Sequence, residues 1–329
     1  MEKISFLFPG QGAQYPGMGK ELYDKYEVVR NVLDQVNESV NFDLLNIIFN
    51  GPEEELNKTE NTQPSILAIS FAIYKLLESV GIRPQAMAGL SIGEYSALTA
   101  SGALQFEDAL KLVKKRGRYM QEEVPEGKGS MAAMIGMDRE KVISIVKQAS
   151  DFGTIDAVNF NCPGQIVVAG EIDAIKKAIE IAKSEGSKQA VILPVSAPFH
   201  SRLLKGAGEK LNTELNKLSY KIGNIPVIAN IDNDYYSFDR EEIIGKLTRQ
   251  VSNPVYFEDI IKKQICEGFN TFIEVGPGKA LSNFVKKTDP TVNIFNVHDE
   301  TSFDNIKRFF EIDSNDKKGG VLHDNYTGK

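Results

Sequence analysis

One serine, framed by two glycines at the tip of a short apolar run, constrains this chain most. Gly89-Leu90-Ser91-Ile92-Gly93 follows Ala86-Met87-Ala88, which reads with Gly89 and Leu90 as a brief strand, and Glu94 to Ser101 resumes a helical pattern. This is the G-x-S-x-G arrangement, in which a sharp strand-to-helix turn lifts the serine into a cleft while the glycines avoid steric conflict. By composition the five letters arise by chance in roughly one chain in ten. The strand before and the helix after carry the signal instead, and together they imply an α/β fold with Ser91 at a strand's carboxyl end. The turn also sets Ser91 near a helix N-terminus, where main-chain N–H groups stabilise developing negative charge.

A serine hydroxyl is a weak nucleophile until a base takes its proton. The chain has three histidines, His200, His298 and His323. His323 lies in a polar tail and is the least suited. His200, in Ser196-Ala197-Pro198-Phe199-His200-Ser201, stands where two parts of the chain rejoin, and such junctions favour binding sites. His298 follows a strand and, with Glu274 or Asp299, would complete the serine, acid, histidine order of an ordinary hydrolase. Both remain candidates at this level.

The 329 residues are 42% apolar and 25% charged, which is ordinary globular usage and predicts a sizeable core. Net charge is −7, against the basic footprint that nucleic-acid binding needs and against attraction to a membrane surface. Ile4 to Phe8 is too short for a signal peptide's apolar region, and no run approaches the roughly 20 residues of a bilayer span. Cys162 and Cys266 lie far apart without CxxC or histidine neighbours, so neither a disulfide framework nor a zinc site is indicated. Both read as buried apolar fillers in a protein of the reducing cytoplasm.

Along the chain, residues 3–9 read as a buried strand followed by the glycine-rich loop Gly10-Gln11-Gly12-Ala13-Gln14. Leu22, Tyr26, Val29, Leu33 and Val36 recur at helical spacing, and a helix is expected from Pro64 to Val80 with the proline near its first turn. Phe106 to Glu123 reads as a helix with a basic face of Lys111, Lys114, Lys115, Arg116 and Arg118, suited to an acidic partner or to phosphates, or simply solvated. Residues 127–195 then run strand, helix, strand, strand, helix, strand, the ferredoxin-like βαββαβ order. Helices near 202–218, 239–250, 257–267 and 302–311 and strands at 227–230, 271–275 and 292–297 follow. The fold class is therefore α/β: a large domain of residues 1–126 and 196–312 with a mostly parallel sheet covered by helices, interrupted by a small ferredoxin-like domain at 127–195. Residues 313–329 read as a flexible polar tail. No complete G-x-G-x-x-G or G-x-x-x-x-G-K-[ST] occurs, so a nucleotide-binding phosphate cradle is not expected.

Seven ordered stretches, FPGQGAQYPGMG, GLSIGEYSAL, KKRGRYMQE, NFNCPGQIVVAGE, PVSAPFHS, RQVSNPV and EVGPGKAL, run from residue 8 to 281. They resemble the malonyl-CoA:acyl carrier protein transacylases of bacterial fatty acid synthesis and the related acyltransferase domains of polyketide synthases. The resemblance covers about the first 312 residues and implies a hydrolase-like large domain. It implies that Ser91 is acylated, that His200 is its base, and that the main-chain carbonyl of Gln250 orients the imidazole in place of a carboxylate. The N–H groups of Gln11 and Ile92 would form the oxyanion hole, and Arg116 would hold the malonyl carboxylate in a two-pronged contact that lysine cannot reproduce. Phe199 resembles the malonyl-selective version of its segment. Leu90 departs from the family's frequent histidine before the serine, and so removes polar support from that side of the turn. Gly276-Pro277-Gly278 would form a loop near the site.

The implied activity is ping-pong transfer of malonyl from malonyl-CoA to the phosphopantetheine thiol of acyl carrier protein, with malonyl-CoA a substrate and no permanent cofactor or metal. A monomer is expected. Three alternatives stand beside it: loading of a polyketide carrier protein, a hydrolase or thioesterase using Ser91 with His298, and a non-catalytic carrier-docking module.

Overall fold

The computed structural model describes residues 2–125, 127–195 and 197–312. The expected tail at 313–329, with His323, lies outside the described residues. Strand β1 (Ile4–Phe8) is buried at every position, as a central parallel strand covered on both faces must be. It is followed by β2 (Ala86–Gly89), then by β3 (Gly129–Ile135), β4 (Ile155–Cys162), β5 (Gln165–Glu171) and β6 (Gln189–Ile192), and finally by β7 (Thr271–Val275) and β8 (Asn293–Val297). The strands form two sheets. One is parallel in the order β2-β1-β7-β8, and the other is antiparallel in the order β4-β5-β3-β6.

Helices Arg139–Ala149 and Ile172–Ser184 cover the antiparallel sheet and close a small core of their own around Met134, Val142, Ile145 and Ile175. The main core gathers on helix Thr59–Ser79, whose Ile66, Leu67, Ile69 and Ile73 are buried against β1 and the helices beside it. The antiparallel sheet is tied through β4 to the segment before helix Phe257–Cys266, by Phe160 N–H to Val255 O (2.9 Å) and Val255 N–H to Val158 O (2.8 Å). Arg139 reaches across to Asp259 at 2.9 Å, and Asp156 accepts from the Arg202 main chain at 3.0 Å and from its guanidinium.

Several local expectations differ from what the chain does. The single helix implied by Leu22 to Val36 is three, Lys20–Lys25, Glu27–Leu33 and Val36–Val40: Tyr26 is extended (φ −112°, ψ 119°) with its ring against Phe303, and a turn at Asp34 and Gln35 makes the second break. The helix expected from Pro64 begins at Thr59, so the proline sits in its second turn. Residues 227–230 do not form a strand; Val227 and Ile228 make isolated bridges to Met87 and Tyr235, enough to run the segment along the outer edge of β2 and bring Asn230 to its end. Helices Leu44–Asn50 and Ala280–Thr288 are not among the expected elements. Of the two cysteines, Cys162 is buried but Cys266, the last residue of helix Phe257–Cys266, is exposed.

Three close approaches fix the turn after β2. A Cβ on Gly93 would fall 2.0 Å from the Phe8 carbonyl oxygen, one on Gly89 2.0 Å from the Gly93 carbonyl carbon, and one on Gly10 2.8 Å from the Leu90 carbonyl oxygen. Only hydrogen fits at these points. Ser91 is left with φ 55° and ψ −107°, a strained conformation for a residue with a side chain, of order 1–3 kcal/mol. Gly93→Ala should therefore lower unfolding stability by about 3 kcal/mol or more. Gly245→Ala, inside helix Arg240–Gln250 where an added Cβ meets nothing within 4 Å, should be neutral or gain up to about 1 kcal/mol. Urea denaturation of the two variants separates these outcomes.

Candidate active site

Ser91 opens helix Ile92–Ala100 at the carboxyl end of β2. Its Oγ lies 2.7 Å from His200 Nε2, and His200 Nδ1 lies 2.7 Å from the main-chain oxygen of Gln250. A carbonyl only accepts, so Nδ1 carries the proton and Nε2 is left bare to accept from the serine hydroxyl. Burial, assisted by the Arg116 charge and opposed by the Gln250 carbonyl, lowers the His200 pKa to about 3. The imidazole is thus a neutral, ready base at neutral pH. Pro198 packs against the start of β3, where a Cβ on Gly129 would fall 2.5 Å from the proline ring, and this contact seats the loop from which His200 projects at φ 63°.

Arg116 does not lie on a solvated basic face with its lysine neighbours. It is 1% exposed, its guanidinium lies 5.0 Å above the Tyr95 ring, and it donates to Ser91 Oγ at 3.1 Å, Gln250 Oε1 at 2.8 Å and Gln63 Oε1 at 2.9 Å. Burial pulls its pKa down from the usual arginine value. The Arg116 Nε has no partner among the described residues. What carries the side chain inward is Gly117, where a Cβ would lie 2.5 Å from the Thr59 carbonyl, so the two long helices touch backbone to backbone beside Gln63. Lys114 caps the Val40 carbonyl, Lys115 pairs with Glu214 and Arg118 with Glu122, so these members of the basic face already have internal partners.

Around the turn lies a polar network that the motifs did not signal. Asn230 accepts from Ser91 N–H at 2.8 Å and donates to the Gly89 carbonyl at 2.7 Å, clamping the turn from β2's outer edge. The Gln250 amide donates to the Ser91 carbonyl at 2.9 Å and to Glu94 at 2.6 Å. Glu94, itself buried, also accepts from Asn230 N–H at 3.2 Å and from the Tyr236 hydroxyl. Desolvation raises its pKa to about 7, against the pull of these hydrogen bonds and of Arg116. Polar residues inside otherwise apolar stretches, such as Glu94 after the serine, were the only available signal in the sequence.

Ile92 begins its helix, so its N–H has no partner within it. Gln11 lies in the loop after β1, next to Gly10 and the Leu90 carbonyl, and its side-chain amide reaches Thr59 at 3.4 Å. Phe199 is buried beside His200. His298 is elsewhere. It follows β8, three strands from β2 in the sheet, or roughly 14 Å at about 4.8 Å per strand. Its nearest carboxylate is Asp299 at 3.4 Å, which caps the last helix, while Glu274 accepts from the start of helix Ala280–Thr288. The geometry therefore joins Ser91 to His200 and removes the His298 pairing. Among the described residues no group of three or more His, Cys, Asp or Glu could hold a metal ion.

Residues 5–307 match the family described as Acyl transferase domain. The chain is 45% identical over 300 residues to a malonyl CoA-acyl carrier protein transacylase of Bacillus subtilis (strain 168), spanning 91% of this chain and 94% of that protein. The crystal structure of malonyl CoA-acyl carrier protein transacylase from Clostridium perfringens is similar with a TM-score of 0.91 at 47% identity, over 94% of this chain and 97% of that one. A malonyl-transacylase in complex with its type II PKS acyl-carrier protein gives a TM-score of 0.91 at 37% identity, over 94% and 100%. With a serine, an imidazole and a buried guanidinium meeting at one point of such a match, the chain belongs to the acyl transferase family and, within it, to the malonyl-CoA:acyl carrier protein transacylases.

Proposed function

We propose that this chain is an acyl-carrier-protein S-malonyltransferase, moving malonyl from malonyl-CoA to the phosphopantetheine thiol of acyl carrier protein and so supplying fatty acid chain elongation. The observation that carries this reading is the convergence of His200 Nε2 (2.7 Å) and Arg116 (3.1 Å) on the same Ser91 Oγ. A base activates the oxygen, and a cation beside it suits an acyl group that ends in a carboxylate.

In the first half-reaction His200 Nε2 takes the Ser91 proton as Oγ attacks the thioester carbon. The oxyanion is received by the N–H groups of Gln11 and Ile92, the C–S bond breaks, and His200 returns its proton to the departing CoA thiolate. In the second half His200 deprotonates the carrier thiol, sulfur attacks the malonyl-serine ester, the bond from the acyl carbon to Oγ breaks, and Ser91 Oγ takes the proton back from His200. The Gln250 carbonyl holds the imidazolium through Nδ1–H in both halves. Arg116 grips the malonyl carboxylate and orients the ester for a thiol, and Phe199 crowds an added methyl group. The acyl group resides on protein and on CoA, so no permanent cofactor or metal is needed.

The domain reading follows the same line: residues 1–126 and 196–312 as a hydrolase-like unit and 127–195 as an inserted ferredoxin-like unit. Within that insert the strands rank two-three-one-four across the sheet, which supports the βαββαβ description. We read the chain as a cytoplasmic monomer acting without nucleic acid or membrane; the net charge of −7 supports the nucleic-acid part of that reading. Loading of a polyketide carrier is the second reading, favoured by the relative solved with a type II PKS carrier. Competition between purified fatty-acid and polyketide carrier proteins for the malonylated enzyme decides between them.

Mass spectrometry after mixing with malonyl-CoA should show one malonyl adduct on Ser91; an unmodified protein would overturn the reading. His200→Ala should slow acylation by about 10²–10⁴-fold while His298→Ala leaves it unchanged. Arg116→Ala should lower kcat/KM for malonyl-CoA by about 10-fold to 150-fold more than for acetyl-CoA, the worth of a charge-assisted hydrogen bond. The depressed His200 pKa makes a further expectation. A lowered value keeps the imidazole neutral as pH falls past 6.5, so nitrogen NMR should show His200 unprotonated at Nε2 from pH 8 to pH 5, whereas a titration centred near 6.5 would contradict the buried geometry.

A further inference from the structure

Gln250 serves the site twice, and only one of its roles follows from its main-chain carbonyl. Its side-chain oxygen accepts from Arg116 at 2.8 Å, while its side-chain nitrogen donates to Glu94 at 2.6 Å and to the Ser91 carbonyl at 2.9 Å. An amide can be turned end for end at no cost in shape, so its orientation has to be imposed by partners. Arg116 only donates, and therefore demands the oxygen. The Glu94 oxygens accept from Gln250, from Asn230 N–H and from the Tyr236 hydroxyl, and therefore demand the nitrogen. Arg116, Gln250, Glu94, Asn230 and Tyr236 are all buried, so water cannot replace a lost partner.

We propose that Glu94 is a positioning residue for acyl selectivity: by accepting from the Gln250 amide it fixes the oxygen end toward Arg116 and so holds the guanidinium where a substrate carboxylate meets it. This inference rests on the malonyl-transfer reading and adds to it the residue that keeps the carboxylate subsite in shape. Without an acceptor at position 94 the Gln250 nitrogen would keep only the Ser91 carbonyl at 2.9 Å and Asn230 Oδ1 at 3.4 Å, and the loss of its shortest bond lowers the cost of turning the amide donor end toward Arg116. Two donors would then face each other, and the guanidinium would swing from the serine. Acyl groups without a carboxylate need no guanidinium, so they should lose less.

The tyrosine hydroxyl has a matching part. Tyr236 is 4% exposed and its ring lies 5.0 Å from the ammonium of Lys246, itself paired with Asp232 and Glu242; its hydroxyl donates to Glu94 Oε1, while Gln250 donates to Oε2. The Glu94 carboxylate is thereby pinned between a fixed phenol and the amide it orients.

The test compares kcat/KM for malonyl-CoA and acetyl-CoA in three full-length variants alongside the wild type. Glu94→Ala should reduce the malonyl-to-acetyl ratio at least tenfold. Glu94→Gln, which keeps an acceptor oxygen for the Gln250 amide, should hold the ratio within threefold of wild type. If Glu94→Ala does not fold, judged by thermal melting, Tyr236→Phe takes its place and should lower the ratio about threefold by loosening one side of the carboxylate. A merely structural role would lower both substrates together, so an unchanged ratio in Glu94→Ala, or in Tyr236→Phe where that variant stands in, overturns the proposal. A Glu94→Gln ratio that falls as far as that of Glu94→Ala also overturns it, since charge and not amide orientation would then be at work. A wild-type protein that takes up no malonyl at all defeats the underlying transfer reading instead, which the ratio among active enzymes does not touch.

Discussion

A guanidinium withdrawn from water governs the arrangement of this site. Arg116 makes its hydrogen bonds to the oxygens of Gln63, Ser91 and Gln250, none of which carries a charge. Burying a cation among neutral acceptors leaves it incompletely compensated, and a carboxylate that enters completes it. The surrounding fold can be read as what holds that charge in place: a helix pair brought into backbone contact at Gly117, an aromatic face from Tyr95, and a buried carboxylate at Glu94 that stands one amide away.

The same residues tune the base. Arg116 contributes to lowering the His200 pKa, and burial contributes more, so the imidazole stays neutral where an exposed histidine would begin to charge. A main-chain carbonyl suffices as the third member of such a set because it needs only to accept from Nδ1–H and fix the tautomer. Using backbone here leaves the Gln250 side chain available for Arg116. One residue thereby couples the nucleophile's base to the acyl-recognition cation.

Much of this was legible in the order of residues. Gly89 and Gly93 announce a turn that tolerates no Cβ, and the structure supplies the reason in the Phe8 carbonyl that passes 2.0 Å from where one would be. The alternation of apolar runs with helical periods implied a parallel sheet, and the change of rhythm after Gly127 implied a second sheet; both are present. Other features were hidden. The break at Tyr26 follows from packing on Phe303, nearly 280 residues away, and no local period encodes it. The choice between His200 and His298 was likewise beyond residue spacing alone, because either follows an element that can end near a cleft.

What the sequence determined by itself is local and covalent: which residues can turn sharply, which can attack, which can accept a proton, and which segments must bury an apolar face. Tertiary structure decided who meets whom. It drew Arg116 out of an apparently basic face into the core, separated His298 from Ser91 by three strand spacings, and brought Glu94, Asn230, Tyr236 and Gln250 together from positions up to 156 residues apart. The physical reason is that hydrogen bonds and charge interactions depend on distance and on exclusion of water, and both are properties of the packed chain, whereas backbone sterics and side-chain chemistry travel with each residue.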